Sequence, residues 1–430
     1  MRYSIITFGC RVNQADSLAL EEELRRRGAS ACDLDQADLV VVNTCSVTAS
    51  ADQGARQAVR RVARVNPGAR VVVTGCYATR RAAELAELPN VAAVVPNDDK
   101  PRLVALVLGA GPIPPRRDLS TAERFGEGDG SCGAAIEPGI AGRTAFTLRV
   151  QTGCAEPCTY CIIPSTRGAP RSTPVEMVLE EIGRITAAGF KEVVLTGVHL
   201  GSYGRDLIPR SSLAELMSRL PERFPRALFR ISSLEPMDCS PDIVSLVADH
   251  DCFASHFHLP LQHASHRVLA AMRRPYTLPA YAALVDDIRA RISDAAIGCD
   301  VIVGFPGETD ADFESLTRYL EGSPLTHLHV FPYSDRPGTV ASALDAKVHG
   351  AVVRERARRV RDISQALARR FRESQQGTIH RALTIDDGSH IVTGNYLKAR
   401  IPEKRPRNQW VVVRMTGVGD PMSADCVTTP

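Results

Sequence analysis

Gln151-Thr152-Gly153-Cys154-Ala155-Glu156-Pro157-Cys158-Thr159-Tyr160-Cys161 is the stretch around which the chain is organised. The spacing is C-x3-C-x2-C, with an aromatic residue just before the last cysteine. A short loop of this kind turns three thiolates towards one point. Three thiolates are one short of the closed tetrahedral set that structural zinc prefers. They suit a [4Fe–4S] cluster held at three irons, with the fourth iron open to a small-molecule ligand. A zinc knuckle with a remote fourth ligand and a buried thiol cluster are the competing readings. The spacing, the aromatic and the downstream sequence favour the iron–sulfur site.

The chain has 430 residues, too many for one ordinary core, which predicts two to three domains. Apolar residues make up 44% and charged residues 23%, as in an ordinary soluble globular protein. A net charge of +3 gives no whole-chain argument for a nucleic-acid partner. The first residues, Met1-Arg2-Tyr3-Ser4-Ile5-Ile6-Thr7, enter a strand at once, without the charged and apolar regions of a signal peptide. No apolar run approaches a membrane span, so a cytoplasmic protein with no membrane partner is expected. Twelve cysteines in that compartment point to metal or redox chemistry rather than a disulfide frame.

Residues 1–108 read as strands at 3–8, 38–43 and 70–74, separated by helices at 17–27 and 50–66. Alternation of this kind predicts a parallel sheet with helices on its faces. Cys10, Cys45 and Cys76 each follow one of these strands. The carboxyl edge of an open α/β sheet is where ligands bind. Taken singly, each cysteine reads as a small buried hydrophobe. Three at equivalent strand ends read as a second iron–sulfur site, again with one open iron. Asn13 and Gln14, beside Cys10, are placed to orient that cluster or its sulfur.

Residues 109–143 are rich in Gly, Pro and charge and read as a linker, with Cys132 a bystander. Residues 144–350 alternate again, with strands at 146–150, 192–196, 227–232, 256–259, 299–303 and 326–331 and helices such as 175–188 and 278–292. Six βα units fit an open, partial (β/α)6 barrel, whose chemistry sits at the carboxyl ends of the strands. The cysteine loop follows the first of them. Residues 351–373 form a basic connecting helix with apolar positions Val353, Ala357, Val360, Leu367 and Phe371. Eight Arg against three acidic residues make it either a solvated face or a surface that follows an RNA backbone. Residues 374–430 read as short strands at 383–385, 391–393, 396–401 and 410–416, a small β-barrel of OB-like size. Lys398, Arg400, Lys404, Arg405, Arg407 and Arg414 make it basic, and Trp410 reads as a core residue.

With these parts in order, the chain resembles the radical S-adenosylmethionine (SAM) methylthiotransferases. That family joins a three-cysteine N-terminal domain, a radical SAM barrel and a C-terminal TRAM domain. Further segments resemble its motifs: Thr196-Gly197-Val198-His199-Leu200-Gly201, Ser232-Ser233-Leu234-Glu235-Pro236, His258-Leu259-Pro260-Leu261-Gln262-His263, Asp300-Val301-Ile302-Val303-Gly304-Phe305-Pro306-Gly307-Glu308, and Phe331-Pro332-Tyr333-Ser334. The resemblance implies SAM contacts from Tyr160, Gly197, His199, Ser233, Glu235, Gln262, Ile302, Gly304 and Glu308. His256, His258, His263 and His266 read as packing and hydrogen-bonding residues. His256 and His258 share a strand face, so a zinc site there is sterically feasible. Arg167 and Arg171 read as partners for the SAM carboxylate or RNA phosphate, or as ordinary surface residues.

The segment Thr7-Phe8-Gly9-Cys10-Arg11-Val12-Asn13-Gln14-Ala15-Asp16-Ser17, with Gly-Val-His-Leu-Gly at 197–201, resembles the MtaB-like branch, which acts on N6-threonylcarbamoyladenosine in tRNA. Branches acting on isopentenyladenosine or a ribosomal protein are the alternatives. The resemblance implies two [4Fe–4S] clusters, SAM, a tRNA anticodon loop and an electron donor protein such as flavodoxin or ferredoxin. It implies that SAM cleaved at Cys154, Cys158 and Cys161 yields a radical that takes hydrogen from C2 of the base. A methylthio group carried at Cys10, Cys45 and Cys76 then adds there, with its methyl from a second SAM.

Overall fold

The computed structural model describes residues 1–109 and 144–427, so Cys132 and nearly all of the expected linker lie outside the described residues. The protein is α/β, with a parallel sheet, a partial barrel and a small closed β-barrel in chain order.

The N-terminal sheet has strand order β2-β1-β3-β4-β5, from Arg2–Thr7 (β1), Ser30–Ala31 (β2), Leu39–Thr44 (β3), Arg70–Gly75 (β4) and Val91–Val95 (β5). Every described neighbour pair in it is parallel. β3 and β4 are central because their apolar runs bury both faces. β2 and β5 were not expected: one is two residues long, and the other is weakened as a strand signal by Ala92 and Ala93. The first helix begins at Arg11, not near residue 17, because the Cys10 carbonyl accepts the Gln14 N–H at 3.2 Å. Arg11 to Gln14 are therefore its first turn, despite their polar look.

Six parallel strands form the partial barrel as two sheets, β10-β9-β6 and β11-β12-β13. They are Ala145–Arg149 (β6), Glu192–Thr196 (β9), Leu228–Ile231 (β10), His256–His258 (β11), Ala296–Val303 (β12) and His327–Pro332 (β13). Single bridges, Phe229 to Phe253 and Ser233 to His258, join the two halves. Helices such as Val175–Ala187 and Leu278–Arg291 cover the outside over a core that includes Ile182, Ile185, Val285 and Ile288. A two-residue ribbon, Gln151–Thr152 (β7) with Arg171–Ser172 (β8), brackets the cysteine loop.

The helix Gly350–Ser374 is part of the barrel wall. It buries Ala357, Val360, Ile363 and Leu367, and its Ser364 hydroxyl accepts the Leu328 N–H of β13. Several of its arginines are held by the protein: Arg356 by Glu308 and Asp310, Arg370 by the Ser323 carbonyl, Arg372 by Asp420. The C-terminal barrel closes as β14-β15-β16-β18-β17. Its strands are Ile379–Ile385 (β14), His390–Thr393 (β15), Lys398–Arg400 (β16), Trp410–Gly417 (β17) and Met422–Cys426 (β18). β18 was missed, since Ser, Ala and Asp are poor strand formers and only pairing with β16 and β17 holds them extended. Trp410 is half-buried rather than core, with the Arg381 guanidinium 3.7 Å from its ring centre. No helix among the described residues is long and apolar enough to cross a membrane.

Candidate active site

Cys154, Cys158 and Cys161 lie in the loop that leaves β7. Gly153 makes its turn at φ +78°, and a Cβ there would lie 1.9 Å from the Ala169 carbonyl oxygen, so only glycine fits. Backbone bonds then set the loop: Cys154 N–H to the Gly168 carbonyl (3.0 Å) and Cys161 N–H to the Cys158 carbonyl (3.1 Å). Amides point at the sulfurs as well, from Glu156 to Cys154 Sγ (3.4 Å) and from Ile163 to Cys161 Sγ (3.5 Å). Arg274 Nη1 donates to Cys158 Sγ at 3.1 Å, while Nη2 pairs with Glu235. Burial, then the charges of Cys158 and Cys154, pushes the Cys161 thiol up to about 12.

Cys10, Cys45 and Cys76 follow the adjacent strands β1, β3 and β4, so the sheet itself gathers them. Gly9, at φ +88°, allows the closest approach: a Cβ there would lie 2.5 Å from Cys45 Cβ. Asn13 ties the loops together by donating to the carbonyls of Phe8 (2.8 Å) and Thr44 (2.9 Å). Burial, then the neighbouring Cys10, pushes the Cys45 thiol up to about 12. Cys161 and Cys45 thus resist ionising where they stand, and a cationic group is needed to hold them as thiolates. The donor set, three thiols gathered at each site, fits a multi-iron cluster with one thiolate per iron.

Arg167 corrects the expected placement. It is buried, donates to Asn13 and Asp16, and its charge reaches Cys76 and Cys10; it is neither a surface residue nor free for phosphate. Six residues after Cys161, it fastens the loop of one triad to the other. Arg171 is exposed and pairs with Asp98 at 3.5 Å. Asn97 makes a second link, donating to Cys76 Sγ (3.6 Å) and to the Thr166 carbonyl (2.8 Å).

The other expected SAM residues fall into four groups. Gly197 lies against Gln151, and His199 sits beside Cys154, with Nε2 2.9 Å from Asp238 Oδ2. Burial opposes its charge, but Asp238 and Cys154 raise His199 to about 9. Tyr160 and Ile302 share a small apolar cluster with Val268, Met272 and Phe305. Ser233 is exposed, Glu235 holds Arg274, and Gln262 is buried at φ +61° where it bridges Val301. Glu308 turns both oxygens inward: Oε2 accepts from Gly304 N–H (2.7 Å) and Phe305 N–H (3.2 Å), and Oε1 from Arg356 (2.7 Å). These bonds tie the Gly304–Glu308 loop to the helix Gly350–Ser374.

Sequence reading missed Arg274, Asn97, Asp238 and Gln151. Each acts across a long sequence separation, 116 residues for Arg274 and Cys158, and no motif spacing marks it. His258, Asp300 and His329 place three ligand atoms within 4.8 Å of one another. Both histidines already hydrogen-bond the same Asp300 oxygen, at 2.9 and 3.2 Å.

A three-cysteine loop at the head of a partial barrel defines a radical SAM enzyme, and the Radical SAM superfamily model matches residues 148–320. The model for uncharacterized protein family UPF0004 matches residues 2–96, which carry the other triad. Threonylcarbamoyladenosine tRNA methylthiotransferase MtaB of Aquifex aeolicus is 36% identical over 92% of this chain and 96% of its own. The Bacillus subtilis protein of that name is 34% identical over 87% and 82%. Ribosomal protein uS12 methylthiotransferase RimO of a Roseiflexus species is 33% identical over 92% and 88%. Among solved structures, the radical SAM methyltransferase TsrM of Kitasatospora setae shares the fold, with TM-score 0.58 and 14% identity, covering 79% of this chain and 76% of that one. The chain belongs to the radical SAM methylthiotransferase family. It is an enzyme of SAM and two [4Fe–4S] clusters.

Proposed function

We propose that this enzyme adds a methylthio group to C2 of N6-threonylcarbamoyladenosine, next to the anticodon in tRNA. The observation that carries the reading is similarity over most of the chain to enzymes of that name, at 36% and 34% identity. Two triads fastened together through Arg167 and Asn97 support the two-site chemistry it needs. When bound, the clusters supply reductive SAM cleavage at one triad and the transferred sulfur at the other.

The chain's own residues orient these groups. Arg274 and the Ile163 amide hold the barrel sulfurs, and Asn97 and Arg167 hold the auxiliary ones. A base in a folded anticodon loop is stacked, so it must be drawn out to reach either triad. A flavodoxin- or ferredoxin-type protein is the expected electron donor, and the cytoplasm the expected compartment. The uS12-directed relative keeps a ribosomal protein substrate as the second reading, and isopentenyladenosine as a third.

Mass spectrometry of tRNA nucleosides from cells lacking this protein tests the proposal. Loss of 2-methylthio-N6-threonylcarbamoyladenosine, with its unthiolated parent accumulating, is the expected result. An unchanged nucleoside profile, or loss of the isopentenyl derivative instead, defeats it.

A further inference from the structure

The inner wall of the barrel carries a charge arrangement that the six cysteines do not explain. His258 is in register with Gly298, Gly298 with His327, and Asp300 with His329, so these side chains share one sheet face with His256. The opposite face, with Phe257, Ile297, Cys299 and Val301, lies in the helix-covered core. The imidazoles therefore line the inner face. Gly298 leaves room for them, since a Cβ there would lie 2.1 Å from His327 Nε2. The His258 and His329 rings are 5.0 Å apart, and those of His327 and His329 are 5.6 Å apart.

Tyr396 of the C-terminal barrel extends this wall. Its ring lies 5.0 Å from His256 and 4.5 Å from the Arg230 guanidinium. Its hydroxyl accepts from Arg11 Nη2 at 2.9 Å. Arg11 is the residue after Cys10, so the wall runs directly to the auxiliary triad.

Most charges here are answered. Arg230 is fully buried and bonds Glu192 Oε1 (2.7 Å) and the Gly394 carbonyl (2.8 Å). Asp300 takes His258 and His329. Two groups are left. Arg11 is half-buried and, among the described residues, has no ion-pair partner. His256 is buried, and among the described residues its Nδ1 has no hydrogen-bond partner. A half-buried cation without an ion-pair partner favours an anionic occupant, and a buried polar atom without a hydrogen-bond partner favours a polar one.

On the substrate reading above, on which this inference rests, C2 of the base approaches the Cys10 site. C2 and C6 of adenine are separated by one ring nitrogen, so a chain on N6 leaves from the same edge as C2. We propose that Arg11, positioned by the Tyr396 hydroxyl, pairs with the carboxylate of the threonylcarbamoyl group and sets specificity for it. An apolar isopentenyl chain in the same place would cover the guanidinium without pairing it.

The test uses the reconstituted two-cluster enzyme and two anticodon stem–loop RNAs. One carries N6-threonylcarbamoyladenosine, the other its carboxylate methyl ester. The wild type should prefer the acid. Arg11→Gln should lower kcat/KM for the acid roughly 10- to 100-fold, mostly through KM, and leave the ester nearly unchanged. Arg11→Lys should recover part of the preference, and Tyr396→Phe should lose a smaller part. Iron content and cluster absorption report whether each variant has folded and loaded. Equal losses on both RNAs, or a preference that survives Arg11→Gln, overturn the inference while the substrate reading stands. No product from the wild type on the acid RNA overturns the substrate reading itself, and the inference with it.

Discussion

Single residues divide the work between the two triads. Replacing Cys154, Cys158 and Cys161 by Ala should leave one cluster and abolish reductive SAM cleavage. Replacing Cys10, Cys45 and Cys76 by Ala should leave that cleavage intact and stop methylthio transfer. Iron analysis with separate assays of 5′-deoxyadenosine and methylthio product reads both outcomes. Asp16 is the residue on which the join between the two triads rests. Its carboxylate is buried and pairs with Lys100 (2.8 Å), Arg149 and Arg167 (3.2 Å). Burial opposes its ionisation, but these three cations hold its carboxyl well below the usual range. The unfolded chain therefore binds a proton more readily than the native one as acid is added. Asp16 contributes full stability above pH about 4 and loses it as pH falls further. Asp16→Asn removes one partner from a buried ion network and should cost about 3–5 kcal/mol at neutral pH. Urea unfolding at pH 7 and at pH about 2.5 measures both effects, and the gap between variant and wild type should narrow at the lower pH.

The decisive element is the β7–β8 ribbon with the loop it brackets. Gln151 pairs with Ser172 and Thr152 with Arg171, so the loop between them is pinned at both ends. Gly153 stands where the ribbon opens, against the Ala169 backbone. Gly153→Ala sets a methyl group on that carbonyl and a side chain at positive φ, so the loop must shift. The barrel triad should then fail to load while the auxiliary triad loads normally. Halved iron content, with SAM cleavage lost, is the expected outcome; full iron content would show that the turn does not control the sulfurs.

Over the whole molecule, the C-terminal barrel stands as a candidate RNA-binding part that also reaches the barrel interior. Asn395 Nδ2 donates to the Asp294 carbonyl at 2.9 Å, and Tyr396 meets Arg11, Arg230 and His256. Deleting this domain would therefore strip acceptors from the buried Arg230, which makes surface substitution the cleaner test of RNA contacts. Lys398, Arg400, Lys404 and Arg405 are exposed on its surface, although Asp386, Asp387 and Glu403 pair with three of them. Changing all four to Gln should weaken tRNA binding and lower the log–log salt slope by about 0.7 to 0.9 for each true phosphate contact. An unchanged slope would mean that these charges face only solvent and their own acidic neighbours.

Both triads could be read directly from the sequence, because a cysteine spacing of C-x3-C-x2-C and a cysteine after each of three strands are local facts. The same holds for the central strands, whose continuous Val runs need no partner to be recognised. Elements such as β18 and β5 were not legible, since they are held extended by neighbours rather than by their own propensity. The same reason hides Arg167, Arg274 and Tyr396. A long side chain in a sequence gives no sign of its partners until the fold sets an acid, a thiol or another ring within reach. The sequence determined which thiols are candidates to hold iron and where along the chain they lie. Only the tertiary structure decided which buried charges fasten the two triads together and which cation, among the described residues, stands without an ion-pair partner beside them, because those answers depend on contacts between segments far apart in the chain.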